Sequence, residues 1–299
     1  MRHAKGARTG KKKSMSTEFT SDSYSKTLFE GLPEFQPGWV WLVGGGPGDR
    51  GLLTLHAINA IRQADAIVYD ALVDETILSF ARPNILVEFA GKRGGRPSPK
   101  QNDITLRLIA LAKEGKRVLR LKGGDPFIFG RGGEEALGLV GAEVPFRVVP
   151  GITAGIGGLC YAGIPATHRD INQSVTFLTG HDQTGSMPDA LNWDAIAKGS
   201  QVIVMYMAMK HLRSITAKLL AAGRDPHEGA AVICNATTPR QAVLVSDLQS
   251  IAEETEKSGL KPPALCVVGN VVRMRDGLDW LGFATQGKTL TATPLKPKE

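Results

Sequence analysis

From Gly38 onward the chain alternates short runs of β-branched and aromatic residues with stretches of helical period, and this alternation restricts the fold more than any other feature. "WVWLV" (39–43), "AIVYD" (66–70), "ILVEFA" (85–90), "RVLRL" (117–121) and "FRVV" (146–149) read as strands, separated by helices near 52–63, 74–81, 101–114 and 132–141. Strands that recur with a helix between them build a mostly parallel sheet. A second series follows the Gly- and Pro-rich segment 150–166. Its strands are "SVTFLT" (174–179), "QVIVMYM" (201–207), "AAVIC" (230–234), "AVLVS" (242–246) and "ALCVVG" (264–269), with helices near 210–222 and 247–256. The expected fold class is therefore α/β, with two α/β domains, residues 37–164 and 174–284, joined through 165–173. The cleft between them is the natural active site.

Charge bears on the tails more than on this core. Of the net +7, residues 1–36 hold seven Lys or Arg against four Asp or Glu, and residues 285–299 hold three Lys against Glu299. Both segments read as disordered, the first as a basic leader. The remainder is nearly balanced and only 6% of the chain is aromatic, which argues against a nucleic-acid-binding protein anchored by its "GKKK" leader. Cys160, Cys234 and Cys266 are odd in number and far apart, with neither a CxxC pair nor a nearby His cluster. They point to a reducing compartment, with no disulfide framework and no metal site. Val148 to Thr167 carries no charge, but five Gly and two Pro make it a tightly packed helix start rather than a membrane span. The N-terminus lacks the apolar core of a secretory signal. A cytoplasmic protein is expected.

Glycines mark one edge of the first domain. The segments 44–48, 91–95, 123–124 and 130–133 all follow strand candidates. Ligands of an open parallel sheet bind beyond the carboxyl ends of its strands, so four such loops, with Asp49, Asp70, Lys92 and Asp125 at their tips, outline a pocket. The opening loop "VGGGPGDRG" fails the dinucleotide pattern, because Asp49 stands at the third glycine position. "GFATQGKT" (282–289) fits the phosphate-loop pattern letter for letter, but only ten residues with two prolines follow it, so no helix is expected to complete the site.

Together "VGGGPGDRGLLTL", "ADAIVYDALV", "GKRGG", "RLKGGDPFIFGRGGEE", "VVPGITAG", "GIPATHRD" and "SVTFLTGH" resemble the tetrapyrrole methylase family in order and spacing, from about Trp39 to Trp280. "LKGGDPFIFGRGGEE" is closest to the branch acting on uroporphyrinogen III. The Gly-Pro loop is common to members that act on later corrin intermediates, on diphthine or on ribosomal RNA. The resemblance implies a two-domain enzyme, usually a homodimer, that uses S-adenosylmethionine to methylate carbons 2 and 7 of uroporphyrinogen III, giving precorrin-2 for sirohaem or cobalamin. A methylase of a later corrin intermediate is the alternative within the fold. No nicotinamide-binding domain is legible, so the dehydrogenase and chelatase steps of fused enzymes are not expected.

Carried over residue by residue, the resemblance places S-adenosylmethionine against Pro47, Gly123, Gly124, Asp125, Ile128, Thr153, Ala154, Met207 and Ala236. The family's proton acceptor and donor fall on Asp70 and Lys92. Lys92 either donates a proton or pairs with one of the eight substrate carboxylates. Arg93, Arg96, Lys100 and Arg131 are further candidates to meet that charge, since guanidinium forks suit carboxylates. Bland alternatives stand beside these roles. Asp70 ends a strand and is placed to cap the next helix. Met207 sits in an apolar strand where packing is the default. His168 and His181 lie on loops near the junction, where a structural hydrogen bond is the commoner use.

Overall fold

Residues 27–91, 101–181, 185–188 and 190–287 are described by a computed structural model, which divides into two units, residues 1–34 and 35–299. The described part of the first unit is one helical turn over residues 27–29 and the turn and extended segment after it.

The second unit contains two five-stranded sheets. Strands β1 (Val40–Gly44), β2 (Ala66–Tyr69), β3 (Leu86–Phe89), β4 (Val118–Lys122) and β5 (Phe146–Val149) form the first, in the order β3-β2-β4-β1-β5 and wholly parallel. Side chains alternate across it. Trp41, Val43, Leu119 and Leu121 pack under α1 (Leu55–Gln63), whereas Val40, Leu42 and Val118 pack under α2 (Gln101–Lys113) and α3 (Gly132–Gly141). Thr54 caps α1 by accepting from the Ala57 amide at 3.1 Å. The expected helix near 74–81 is a 3₁₀ segment, Glu75–Phe80, begun by Asp74, which accepts from the Thr76 amide at 2.9 Å.

Strands β6 (Val175–Thr179), β7 (Val202–Tyr206), β8 (Gly229–Cys234), β9 (Ala242–Asp247) and β10 (Ala264–Val268) form the second sheet, ordered β6-β7-β10-β8-β9. Only β6 and β7 run parallel, because β8 and β9 join through a hairpin loop and β10 inserts between β7 and β8. One face packs against α5 (Trp193–Gly199), α6 (Leu212–Ala221) and α7 (Ile251–Ser258). The other receives α4 (Ala154–Tyr161), whose Leu159 packs with Val204, Ile233 and Leu265.

That helix explains the charge-free segment. A Cβ at Gly157 would stand 2.9 Å from Pro47 Cγ, and one at Gly158 would stand 2.9 Å from Ala236 Cβ. The glycines let α4 lie between the opening loop of the first sheet and the hairpin loop of the second. Polar ties close the same junction. The Asp49 amide donates to Thr237 Oγ1 at 3.0 Å, Tyr161 donates to Asp49 Oδ2 at 2.7 Å, and Gln241 Nε2 donates to the Tyr161 carbonyl at 3.0 Å. Burial and the Asp49 carboxylate push the Tyr161 phenol up to about 12, so it remains a donor near neutrality.

Two boundaries differ from expectation. Phe35, assigned by composition to the leader, is buried and stacks on Trp41 with ring centroids 4.5 Å apart. "GFATQGKT" begins inside α9 (Trp280–Gln286), which follows α8 (Arg275–Leu278), and Gly287 ends it in the left-handed region at φ 66°. A left-handed glycine is a common way to end a helix. The element directly before α9 is the helix α8 and not a strand, and Lys288 and Thr289 lie outside the described residues, as do residues 1–26 of the leader and most of the tail.

Because Phe35 fills a core site, Phe35→Ala is expected to destabilise the protein by about 3–5 kcal/mol. Denaturant unfolding measures this, and an unchanged midpoint would return residue 35 to the leader.

Candidate active site

Seven described residues other than glycine have a left-handed backbone, and five of them cluster: Phe129, Arg131, Met207, Asn235 and Thr237, with φ between 47° and 64°. Such conformations are unfavourable, most of all for β-branched Thr237, and persist where the surroundings demand them. The first four line a cavity of about 960 Å³ beyond the carboxyl ends of β1 and β4. That is room for a small-molecule ligand of substantial size.

The walls of the cavity are backbone on one side. Gly46 and Gly124 exchange hydrogen bonds, from the Gly46 amide at 3.2 Å and from the Gly124 amide at 2.7 Å. A Cβ at Gly44 would fall 2.5 Å from the Gly124 carbonyl oxygen and 2.6 Å from Gly151 Cα. Three chain segments therefore meet where only glycine fits. Asp125 fastens the same corner, accepting from the Phe127 amide at 2.8 Å and the Gly151 amide at 3.0 Å.

Most of the residues singled out from sequence border this space. Pro47 comes from the loop after β1, Asp70 from the end of β2, and Gly123, Gly124, Ile128 and Arg131 from the segment between β4 and α3. Thr153 and Ala154 begin α4, Met207 follows β7, and Ala236 follows β8. Met207 is not within its strand but one residue beyond it, and is 41% exposed, so packing does not explain it. Asp125 is absent from the wall, its carboxylate being spent on backbone amides. Lys92, Arg93, Arg96 and Lys100 lie outside the described residues. His168 is outside the cavity and accepts from the Asp170 amide at 3.3 Å within its own turn, and His181 is outside it too.

Asp70 does not cap the following segment, a task taken by Asp74. Its side chain instead meets two cations that sequence reading missed. Arg120 Nη2 hydrogen-bonds Asp70 Oδ1, and Lys122 Nζ stands 3.5 Å from Asp70 Oδ2. Both cations also reach Glu135 on α3, Arg120 Nε at 3.0 Å and Lys122 Nζ at 3.2 Å. Burial opposes charge on Arg120, but Asp70 and Glu135 more than offset it and raise the guanidinium above its ordinary value. Side-chain exposure is 2% for Arg120, 3% for Lys122 and 0% for Glu135, against 28% for Asp70. Asp70 is thus the open end of an otherwise buried network. The signal was present in "RVLRLKGG": Arg120 and Lys122 occupy the same face as Val118 in a central strand, where apolar residues are the rule.

On the opposite wall, Tyr206 holds the start of α4. Its hydroxyl lies 2.7 Å from Thr153 Oγ1 and accepts from the Gly155 amide at 2.8 Å, and its ring meets Phe129 at 5.0 Å. Burial raises its phenol, keeping it protonated. Two arginines stand at the cavity's edge. Arg131 donates from Nε to Glu134 at 3.0 Å, and Arg240, which sequence reading did not select, is exposed on the hairpin loop.

The sequence profile of the tetrapyrrole (corrin/porphyrin) methylases matches residues 40–252. The chain is 65% identical over 267 residues to a uroporphyrinogen-III C-methyltransferase from a Sinorhizobium species, covering 89% of this chain and 95% of the relative. It is 46% identical over 270 residues to a siroheme synthase from Actinobacillus pleuropneumoniae serotype 7, covering 88% of this chain but 54% of that protein. It spans about half the length of the siroheme synthases it matches. Among solved structures it is similar to the Thermus thermophilus uroporphyrin-III C-methyl transferase complexed with S-adenyl homocysteine, with a TM-score of 0.68 and 38% identity over 78% of this chain and 98% of that one. With the profile matched over most of its length and the fold shared, the chain belongs to the tetrapyrrole methylase family.

Proposed function

We propose that the chain is an S-adenosylmethionine-dependent C-methyltransferase that converts uroporphyrinogen III into precorrin-2 by methylating carbons 2 and 7. The observation that carries this reading is the glycine-walled cavity with the Asp70 carboxylate opening into it. The 65% identity to a uroporphyrinogen-III C-methyltransferase and the likeness to a relative complexed with S-adenyl homocysteine support it.

The residues present suit the donor. Gly123 and Gly124 offer bare backbone, Thr153 and Ala154 begin a helix, and exposed Met207 and buried Ala236 give apolar contact. Bound there, S-adenosylmethionine supplies an electrophilic methyl group on a sulfonium. What the chain contributes first is orientation, since an in-line displacement at a pyrrole carbon depends on placing two reactants. Asp70 then accepts the proton that the methylated macrocycle must lose, a contribution of about 10²–10⁴ in rate. Arg131 and Arg240, at the cavity edge, pair with substrate carboxylates, as do Lys92, Arg93, Arg96 and Lys100 in our reading.

We further infer a cytoplasmic homodimer. Its three cysteines are unpaired, and no helix among the described residues is long and apolar enough to cross a membrane. Leu106, Leu137 and Val140 leave apolar surface on α2 and α3 for a second copy, which sedimentation equilibrium tests.

With uroporphyrinogen III and S-adenosylmethionine, the purified chain is expected to form S-adenosylhomocysteine at two equivalents per tetrapyrrole. No turnover with an intact reduced substrate would refute the reading. Asp70→Asn is expected to bind S-adenosylhomocysteine as the parent does while turning over about 10²–10⁴ more slowly, because the amide keeps the size but not the basicity. Gly124 has φ 66° beside Thr153, so Gly124→Val forces a branched residue into the left-handed region at the cavity wall. Calorimetry should show loss of S-adenosylhomocysteine binding, and unchanged affinity in a folded variant would remove this loop from the site.

A further inference from the structure

Glu135 lies outside the cavity wall, is fully buried, and yet is an ionisable residue in the first turn of α3. The core cluster between α3, α2 and the sheet, which includes Ala136, Leu139, Val118 and Leu108, is apolar. An apolar residue at position 135, with apolar partners at 120 and 122, would join α3 to β4 without burying three charges, and such replacements are often neutral or stabilising. Stability alone therefore does not account for the group. Its geometry does. One carboxylate bridges Arg120 Nε and Lys122 Nζ, and these cations reach different oxygens of Asp70, Arg120 to Oδ1 and Lys122 to Oδ2. Arg120 is held from a third side by the Val68 carbonyl, which accepts from Nη1 at 3.3 Å.

We propose that Glu135 is a positioning residue for methyl transfer: by sharing one buried negative charge between Arg120 and Lys122 it fixes both cations and so sets the orientation of the Asp70 carboxylate at the cavity. Without that charge the two buried cations repel each other, and their whole attraction falls on Asp70, which is drawn inward and out of line with the cavity. The inference rests on the reading of Asp70 as proton acceptor and extends it to a residue that touches neither reactant.

The test is Glu135→Gln, alone and with Asp70→Asn, assayed in single turnover with saturating S-adenosylmethionine and uroporphyrinogen III. Glu135→Gln is expected to lower the rate about tenfold or more, with the Michaelis constant for uroporphyrinogen III and the affinity for S-adenosylhomocysteine within about twofold of the parent. In the Asp70→Asn background it should lower the rate no further, since residues that act through one another are not additive. A parental rate in folded Glu135→Gln, or the same loss with and without Asp70, overturns the proposal. A parental rate in Asp70→Asn alone overturns the reading beneath it as well, and is separately visible. If Glu135→Gln fails to fold, Glu135→Asp keeps the charge but withdraws it by one methylene, and the same comparison with Asp70→Asn decides the question.

Discussion

The close approach of Gly44, Gly124 and Gly151 is the constraint on which the rest of the site depends. These residues end or follow β1, β4 and β5, and a Cβ at Gly44 would fall within 2.6 Å of both other segments. Contact at that distance pulls the loops after three neighbouring strands into one corner, which Asp125 then ties through the Phe127 and Gly151 amides. The consequence is that one stretch of the cavity wall, at Gly123 and Gly124, is main chain. Such a wall admits a ligand close to the peptide backbone, and it fixes where α4 begins, at Thr153 just beyond Gly151. From there α4 crosses to the second sheet, so the same corner also sets how Met207 and Ala236 face the first.

A second, electrostatic layer sits behind that wall. The segment just after β4 contributes Gly123 and Gly124 to the cavity, and β4 itself, one and three residues before Gly123, contributes Lys122 and Arg120 to the buried network. The cavity-lining loop thus follows directly on the strand that carries the cations holding Asp70. Burying Arg120, Lys122 and Glu135 is unfavourable unless each charge is met, and the distances of 3.0 to 3.5 Å show that they are. Asp70, at 28% exposure, is the most open member and borders the cavity beside Arg120 and Lys122, whereas Glu135 does not reach it. The left-handed residues Phe129, Arg131, Met207 and Asn235 add strain on the other walls, which the surrounding sheets sustain.

Much of this was legible from residues. The strand runs of both domains fall within a residue or so of the observed bounds, and α3 spans 132–141 as its pattern indicates, because apolar alternation and glycine punctuation are local signals. Pro47, Gly123, Gly124, Ile128, Thr153, Ala154 and Asp70, scattered along the chain, border one cavity. Strand direction was less legible: the mixed second sheet follows from where β10 inserts, a long-range choice with no local mark. Phe35 was lost to composition, since a single aromatic in a polar stretch carries no period. Asp125 was read as a ligand contact, and its carboxylate proved to be occupied by amides that sequence alone does not bring near. The quartet was missed because Glu135 lies thirteen residues beyond Lys122, and only the fold lays α3 across that face of β4.

The central claim is that the glycine corner and the Asp70 carboxylate serve one cavity in which donor and acceptor meet. A crystal structure of the chain with S-adenosylhomocysteine measures this most directly. The account predicts the ligand against Gly123, Gly124, Thr153 and Ala154, with its sulfur facing open space on the side of Asp70. A ligand bound outside that cavity, or one whose sulfur is walled off from Asp70, would contradict it.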